Sequence, residues 1–104
     1  KELAKLFQKE RALFFPSGTM SNLVAILSWC NRRGSEVILG DRAHIHKYEQ
    51  GGLSQFGGIS CHTLPNAFDG TFDITAVESN IRPNDFFSTS TDLIAVEDTH
   101  NDCG

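Results

Sequence analysis

Apolar positions in this chain recur at two spacings, and the change from one to the other marks its elements. Leu3, Leu6 and Phe7 fall on one side of a helix over Lys1–Lys9, with the charges opposite. Arg11 to Phe15 reads as a short extended run ending at Pro16, because the residue before a proline avoids helical geometry. Met20, Leu23, Ile26, Leu27 and Cys30 return to steps of three and four, predicting a helix from about Thr19 to Arg32. Cations in its last turn and Gly34 beyond them supply the stop.

The pattern then turns continuous. Glu36 to Gly40 reads as a buried strand, Asp41-Arg42-Ala43 as a loop, and His44 to Gln50 as two helical turns stopped by Gly51-Gly52. A glycine-rich link through Gly57-Gly58 leads to a second strand, Ile59 to Leu64, ended by Pro65. Asn66 to Gly70 is a loop. Asp73 caps a helix in which Ile74, Val77 and Ile81 share a face, and Pro83 closes it. Asn84 to Thr91 is polar and reads as a surface loop, whereas Leu93 to Val96 has the unbroken apolar character of a strand covered on both faces.

Strands alternating with helices predict an α/β fold, a three-layer α/β/α arrangement around a mostly parallel sheet. Ligands of such sheets sit outside the carboxyl ends of the strands. Three polar clusters follow strands in this reading: Ser17-Gly18-Thr19, Asp41-Arg42-Ala43-His44, and Glu97-Asp98-Thr99-His100-Asn101. The topology brings all three to one edge.

Composition narrows the function without naming it. The 104 residues suit one small domain, and 39% hydrophobic with 21% charged residues is ordinary for a globular protein. A formal net charge of −4 gives no electrostatic reason to expect nucleic acid or an anionic membrane as partner, and no apolar run approaches a membrane span. Three widely spaced cysteines, Cys30, Cys61 and Cys103, point to reduced thiols in a reducing compartment, read as cytoplasmic. Lys1 opens within a helical pattern and Asp102-Cys103-Gly104 closely follow an apolar run, so both ends read as cut and the chain as a piece of a longer protein.

The first cluster is a candidate phosphate cradle. The first turn of a helix carries N–H groups with no partner inside it, its dipole favours negative charge, and glycine lets an anion approach the backbone. The competing reading is that Ser17 or Thr19 only caps the helix. A phosphate cradle beside two histidines suggests a cofactor with a phosphate handle and an aromatic ring. His44 is placed to lie flat over such a ring, and His100 to carry a proton or bind a substrate hydroxyl. Metal binding by His44, His46, His62 and His100 is disfavoured, since residues two apart on a helix diverge and no Cys-x-x-Cys or His-Glu-x-x-His spacing occurs.

Residues Gln8 to Asn22, Ala43 to Gly52 and Glu97 to Asn101 together resemble the threonine aldolase family. Its members are pyridoxal-phosphate enzymes of the aspartate-aminotransferase fold type, within the β-eliminating lyase superfamily. The first segment resembles the family's phosphate loop, the second its His-Ile-x-x-Tyr-Glu segment and the third its Glu-Asn-Thr-His-Asn segment. The resemblance covers nearly the whole chain, as an N-terminal part of the family's large domain. It implies that Ser17, Gly18 and Thr19 bind the phosphate of pyridoxal 5'-phosphate and that His44 stacks on its pyridine ring. His100 would stand at the substrate's side-chain hydroxyl, with Tyr48 and Glu49 lining the same pocket. The implied reaction cleaves L-threonine or L-allo-threonine to glycine and acetaldehyde, in a homodimer or homotetramer.

One departure is Asp98, where the family has asparagine; a second carboxylate beside Glu97 and His100 would raise that histidine's pKa. The family's Schiff-base lysine matches none of Lys1, Lys5, Lys9 or Lys47, so the resemblance places it beyond Gly104 and implies that these 104 residues alone are inactive. Two rivals stay open: another pyridoxal-phosphate β-eliminating lyase, and a truncated, inactive relative that serves only as an oligomerisation or binding module.

Overall fold

The middle strand of the sheet is the most deeply buried element, and the rest of the chain is arranged around it. In the computed structural model, which describes residues 1–104, β1 (Ser35–Gly40) is buried at all six positions. It lies between β2 (Ser60–Leu64) and β3 (Ser90–Ile94), parallel to both, in the order β2-β1-β3. Alternation along β1 divides the interior. Val37 and Leu39 join Ile26, Cys30, Ala43, Leu53 and Ile59 on one face, under helix α2 (Gly18–Trp29). Ile38 joins Leu64 and Val77 on the other, under helix α4 (Ile74–Asn80), with Phe72 and Ala76 against them. The result is three layers, α/β/α, as the alternation of elements predicts. Helix α1 (Glu2–Leu6) and the one-turn α3 (His44–Lys47) complete the set.

The polar end of the sheet is built by charge satisfaction. Glu36 is 2% exposed, and a buried carboxylate needs donors. Thr89 and Thr91 hydroxyls supply them at 2.9 Å each, with Arg82 at 3.5 Å. The register jumps from Glu36 opposite Thr91 to Val37 opposite Leu93, leaving Asp92 as the extra residue of a bulge. Its carboxylate accepts the hydroxyls of Ser35 and Ser90 at 2.5 and 2.8 Å, and these bonds hold its pKa below the ordinary 3.8.

Several expectations need correction, the first being that the helix expected to reach Arg32 ends at Trp29, with no cation in its last turn. Arg11 to Phe15 pairs with no strand, so the Ser17 cluster follows a coil, with Leu13 and Phe14 exposed. The polar run does not stay outside the sheet: Ser90 and Thr91 enter β3, drawn in by the bonds to Glu36 and Asp92. The segment Leu93 to Val96 is not covered on both faces, since β3 is an edge strand with Ile94 and Val96 exposed. The helix from His44 stops after one turn, at Lys47. The glycine-rich link folds as a π-helical turn, Leu53–Gly57, that buries Leu53 and ends at Gly58 in a left-handed conformation. No helix is long and apolar enough to cross a membrane.

Candidate functional site

Parallel strands deliver their following loops to one edge, and two of the polar clusters arrive there directly. After β1 the chain turns through Asp41 to Ala43, the Ala43 N–H returning to the Gly40 carbonyl, and α3 begins at His44. After β3 comes Glu97. Its carboxylate joins the two loops: Oε2 accepts the backbone N–H of His44 and Oε1 that of Asn101, both at 2.8 Å. The third cluster comes from the side, as the N-terminus of α2. Together they enclose a cleft of about 340 Å³ lined by Gly18, Asn22, Leu39, Ala43, His44, Ile45, Ala95, Val96, Glu97 and Asp98.

At the helix terminus both readings of the Ser-Gly-Thr cluster have a place. Ser17 caps the helix, its hydroxyl oxygen accepting the Met20 N–H at 3.2 Å. That leaves the N–H groups of Gly18 and Thr19 with no partner within the chain. No atom lies within 4 Å of where a Cβ on Gly18 would stand, so an anion has room against the backbone. Of the three residues only Gly18 lines the cleft; Ser17 and Thr19 are not on its wall.

His44 lines the cleft and is held from behind. Its Nδ1 lies 3.0 Å from Oε1 of Glu49, which also accepts the Asn22 side-chain amide at 2.8 Å. Glu49 is 7% exposed. An ionised carboxylate only accepts, so His44 carries its proton on Nδ1 toward Glu49. Glu49 therefore stands behind His44 rather than on the cleft wall. Asn22, which no sequence argument singled out, touches both cleft and carboxylate; its position one turn beyond Gly18 was the available signal.

Tyr48 and His100 also stand off the cleft wall. The Tyr48 hydroxyl donates to Asp102 at 3.4 Å, and Lys47 donates to the same carboxylate at 2.6 Å. The lysine holds the Asp102 carboxyl below its ordinary range, while Asp102 and then Tyr48 push Lys47 up. His100 is buried. Its Nδ1 accepts the Asp102 backbone N–H at 3.2 Å, its Nε2 has no hydrogen-bond partner, and Oε2 of Glu97 is 3.8 Å away. Gly70, in the loop after β2, lies against the ring: a Cβ there would stand 2.9 Å from Cδ2. Asp98 is exposed on the cleft, so Glu97 is the carboxylate that faces His100.

No three of the His, Cys, Asp and Glu side chains converge as metal ligands, and the cysteines are free thiols. Burial pushes the Cys30 and Cys61 thiols up. What the edge offers is a helix N-terminus with free amides, an oriented imidazole on the wall, and a second imidazole behind a carboxylate. This set can hold an anion beside a planar ring.

Comparison with known proteins agrees in kind. The chain is 51% identical over 106 residues to low-specificity L-threonine aldolase 1 of Arabidopsis thaliana, with the whole chain and 30% of that protein covered. Low specificity L-threonine aldolase of Escherichia coli K12 is 43% identical over 98 residues, covering 94% of the chain and 29% of the relative. A probable low-specificity L-threonine aldolase of Schizosaccharomyces pombe is 36% identical over 100 residues, covering 93% and 26%. The chain thus spans about 30% of the length of the first of these. The family model for β-eliminating lyases matches residues 1–104 from end to end, and the chain belongs to that family.

Proposed function

We propose that this chain is part of a pyridoxal-phosphate-dependent aldolase that cleaves L-threonine or L-allo-threonine to glycine and acetaldehyde. The observation that carries the reading is the unpartnered amide pair of Gly18 and Thr19 at the start of α2, with Gly18 lining the same cleft as His44. These residues fit the cofactor. The helix terminus receives a phosphate, Gly18 leaves the space it needs, and the imidazole of His44, fixed by Glu49, offers a flat face to the ring. Pyridoxal phosphate, when bound, supplies an electron sink for the pair left on Cα as the Cα–Cβ bond breaks.

The remaining residues orient and handle protons. Ser17 caps the first turn of α2 through the Met20 N–H. Glu49 holds His44 at Nδ1, and the Asn22 amide donates to the same Glu49 oxygen. We assign His100 to the side-chain hydroxyl of the substrate, the group whose proton must be managed as acetaldehyde leaves. The amino-acid substrates named for the relatives, and a homodimer or homotetramer, belong to the same proposal.

The test is an absorbance scan of the full-length protein with pyridoxal phosphate, followed by incubation with threonine. We expect a visible band of lysine-bound cofactor that borohydride abolishes, and glycine and acetaldehyde as products. A soluble, folded protein with no such band would overturn the reading. A band with ammonia and a keto acid as products would identify a β-eliminating lyase instead.

A further inference from the structure

The buried nitrogen of His100 is the one buried side-chain polar atom in the chain with no partner, and such groups are normally satisfied. Its proton state follows from the ring's other side. A backbone N–H can only donate, so the Asp102 amide at 3.2 Å requires a lone pair on Nδ1. A neutral imidazole with a lone pair on Nδ1 carries its hydrogen on Nε2. That hydrogen is enclosed, since His100 is 6% exposed, and Gly70 closes one face of the ring. The acceptor in front of it is Oε2 of Glu97 at 3.8 Å, about 0.9 Å longer than a typical N–H···O bond.

Glu97 has the capacity for it. Each carboxylate oxygen has two acceptor sites, and the backbone donors from His44 and Asn101 use one on each. The same carboxylate therefore sets where α3 begins, and with it the placement of His44, while facing the proton of His100.

We propose that Glu97 is the positioning residue of this site, accepting the backbone N–H of His44 and standing as the nearest acceptor to the Nε2–H of His100, whose tautomer the Asp102 amide sets. His100 then presents a hydrogen-bond donor toward Glu97 rather than a lone pair. The proposal concerns the same site as the aldolase reading, but the tautomer does not depend on that reading.

The experiment uses the full-length protein with 15N-labelled histidine, free of cofactor, in long-range 1H–15N NMR. In the wild type, His100 should show a pyridine-type Nδ1 and a pyrrole-type Nε2. Glu97→Gln should speed solvent exchange of the Nε2 proton about tenfold and lower protection of the His44 or Asn101 amide by a similar factor, since a charged acceptor has become a neutral one. Asp98→Asn removes the neighbouring charge without touching these contacts and should leave the His100 signals as they were. A wild-type Nδ1–H tautomer would overturn the proposal, and this measurement stands even if a variant fails to fold. So would a folded Glu97→Gln protein whose exchange rates stay within about twofold of wild type. Failure of the aldolase reading would show separately, as an absent cofactor band in a protein whose His100 tautomer is as expected.

Discussion

Gly70 and Gly40 are the residues whose missing side chains shape the site from behind. Gly70 has φ +86°, a conformation that L side chains rarely adopt, and a Cβ there would press on the His100 ring. A Cβ on Gly40 would fall within 2.2 Å of the Asn66 amide oxygen. Asn66 in turn binds the Arg42 N–H at 2.9 Å and the Gly70 carbonyl at 2.7 Å, tying the loop after β1 to the loop backing His100. Gly70→Ala should therefore cost about 1–3 kcal/mol of stability in the full-length protein, measured by chemical denaturation, and shift the His100 ring resonances. A neutral substitution would show that the loop moves aside freely. Neither glycine was legible as a support for histidine, since a turn glycine looks the same whether or not a ring lies against it. The place of His44 on the cleft was legible, because it follows the short loop directly after the most apolar strand.

Elements followed the hydrophobic pattern where buried apolar side chains anchored them and departed from it where polar pairing decided. The expected strand Glu36–Gly40 was found as Ser35–Gly40, buried throughout, and Ile59–Leu64 as Ser60–Leu64, half-buried in its middle and marked by buried Ile59 and Leu64 at its ends. β3 was misplaced toward its C-terminus. Its first half is Ser-Thr-Asp, and what recruits those residues is hydrogen bonding to Glu36 and Ser35, which leaves no periodic signature. The latch between α3 and the loop after β3 is equally silent in sequence: Lys47 and Tyr48 reach Asp102 more than fifty positions away. Its pH dependence has a definite sign. Asp102 titrates below its ordinary 3.8, so its contribution is full above that value and is lost as pH falls through the lowered pKa. Lys47 titrates above its ordinary 10.5, so its contribution is full below that value and is lost as pH rises through the raised one. The latch should hold across the whole range between, with NMR titration of the Asp102 carboxyl reporting its lowered pKa. Lys47→Ala should return that pKa toward 3.8; an unchanged titration would mean the pair is not formed in solution.

The surface of the whole molecule argues that these 104 residues do not complete a folding unit. The accessible area is 7526 Å², against about 5,800 Å² for a self-contained monomer of 11.5 kDa. The radius of gyration is 14.7 Å where a compact chain of this length gives about 13 Å. The excess is apolar: Leu13, Phe14, Trp29, Phe86, Phe87 and Val96 are all exposed, and both outer strands of the three-stranded sheet are open edges. The relatives the chain matches are more than three times as long. Produced alone, the segment should bind a hydrophobic dye, unfold without a sharp transition and leave threonine uncleaved. Within the full-length protein the β1 amides should instead exchange only through global unfolding. A cooperative transition and no dye binding from the isolated segment would show that the two small cores around Leu39 and Ile38 suffice, and that the exposed aromatics serve a partner rather than the rest of the fold.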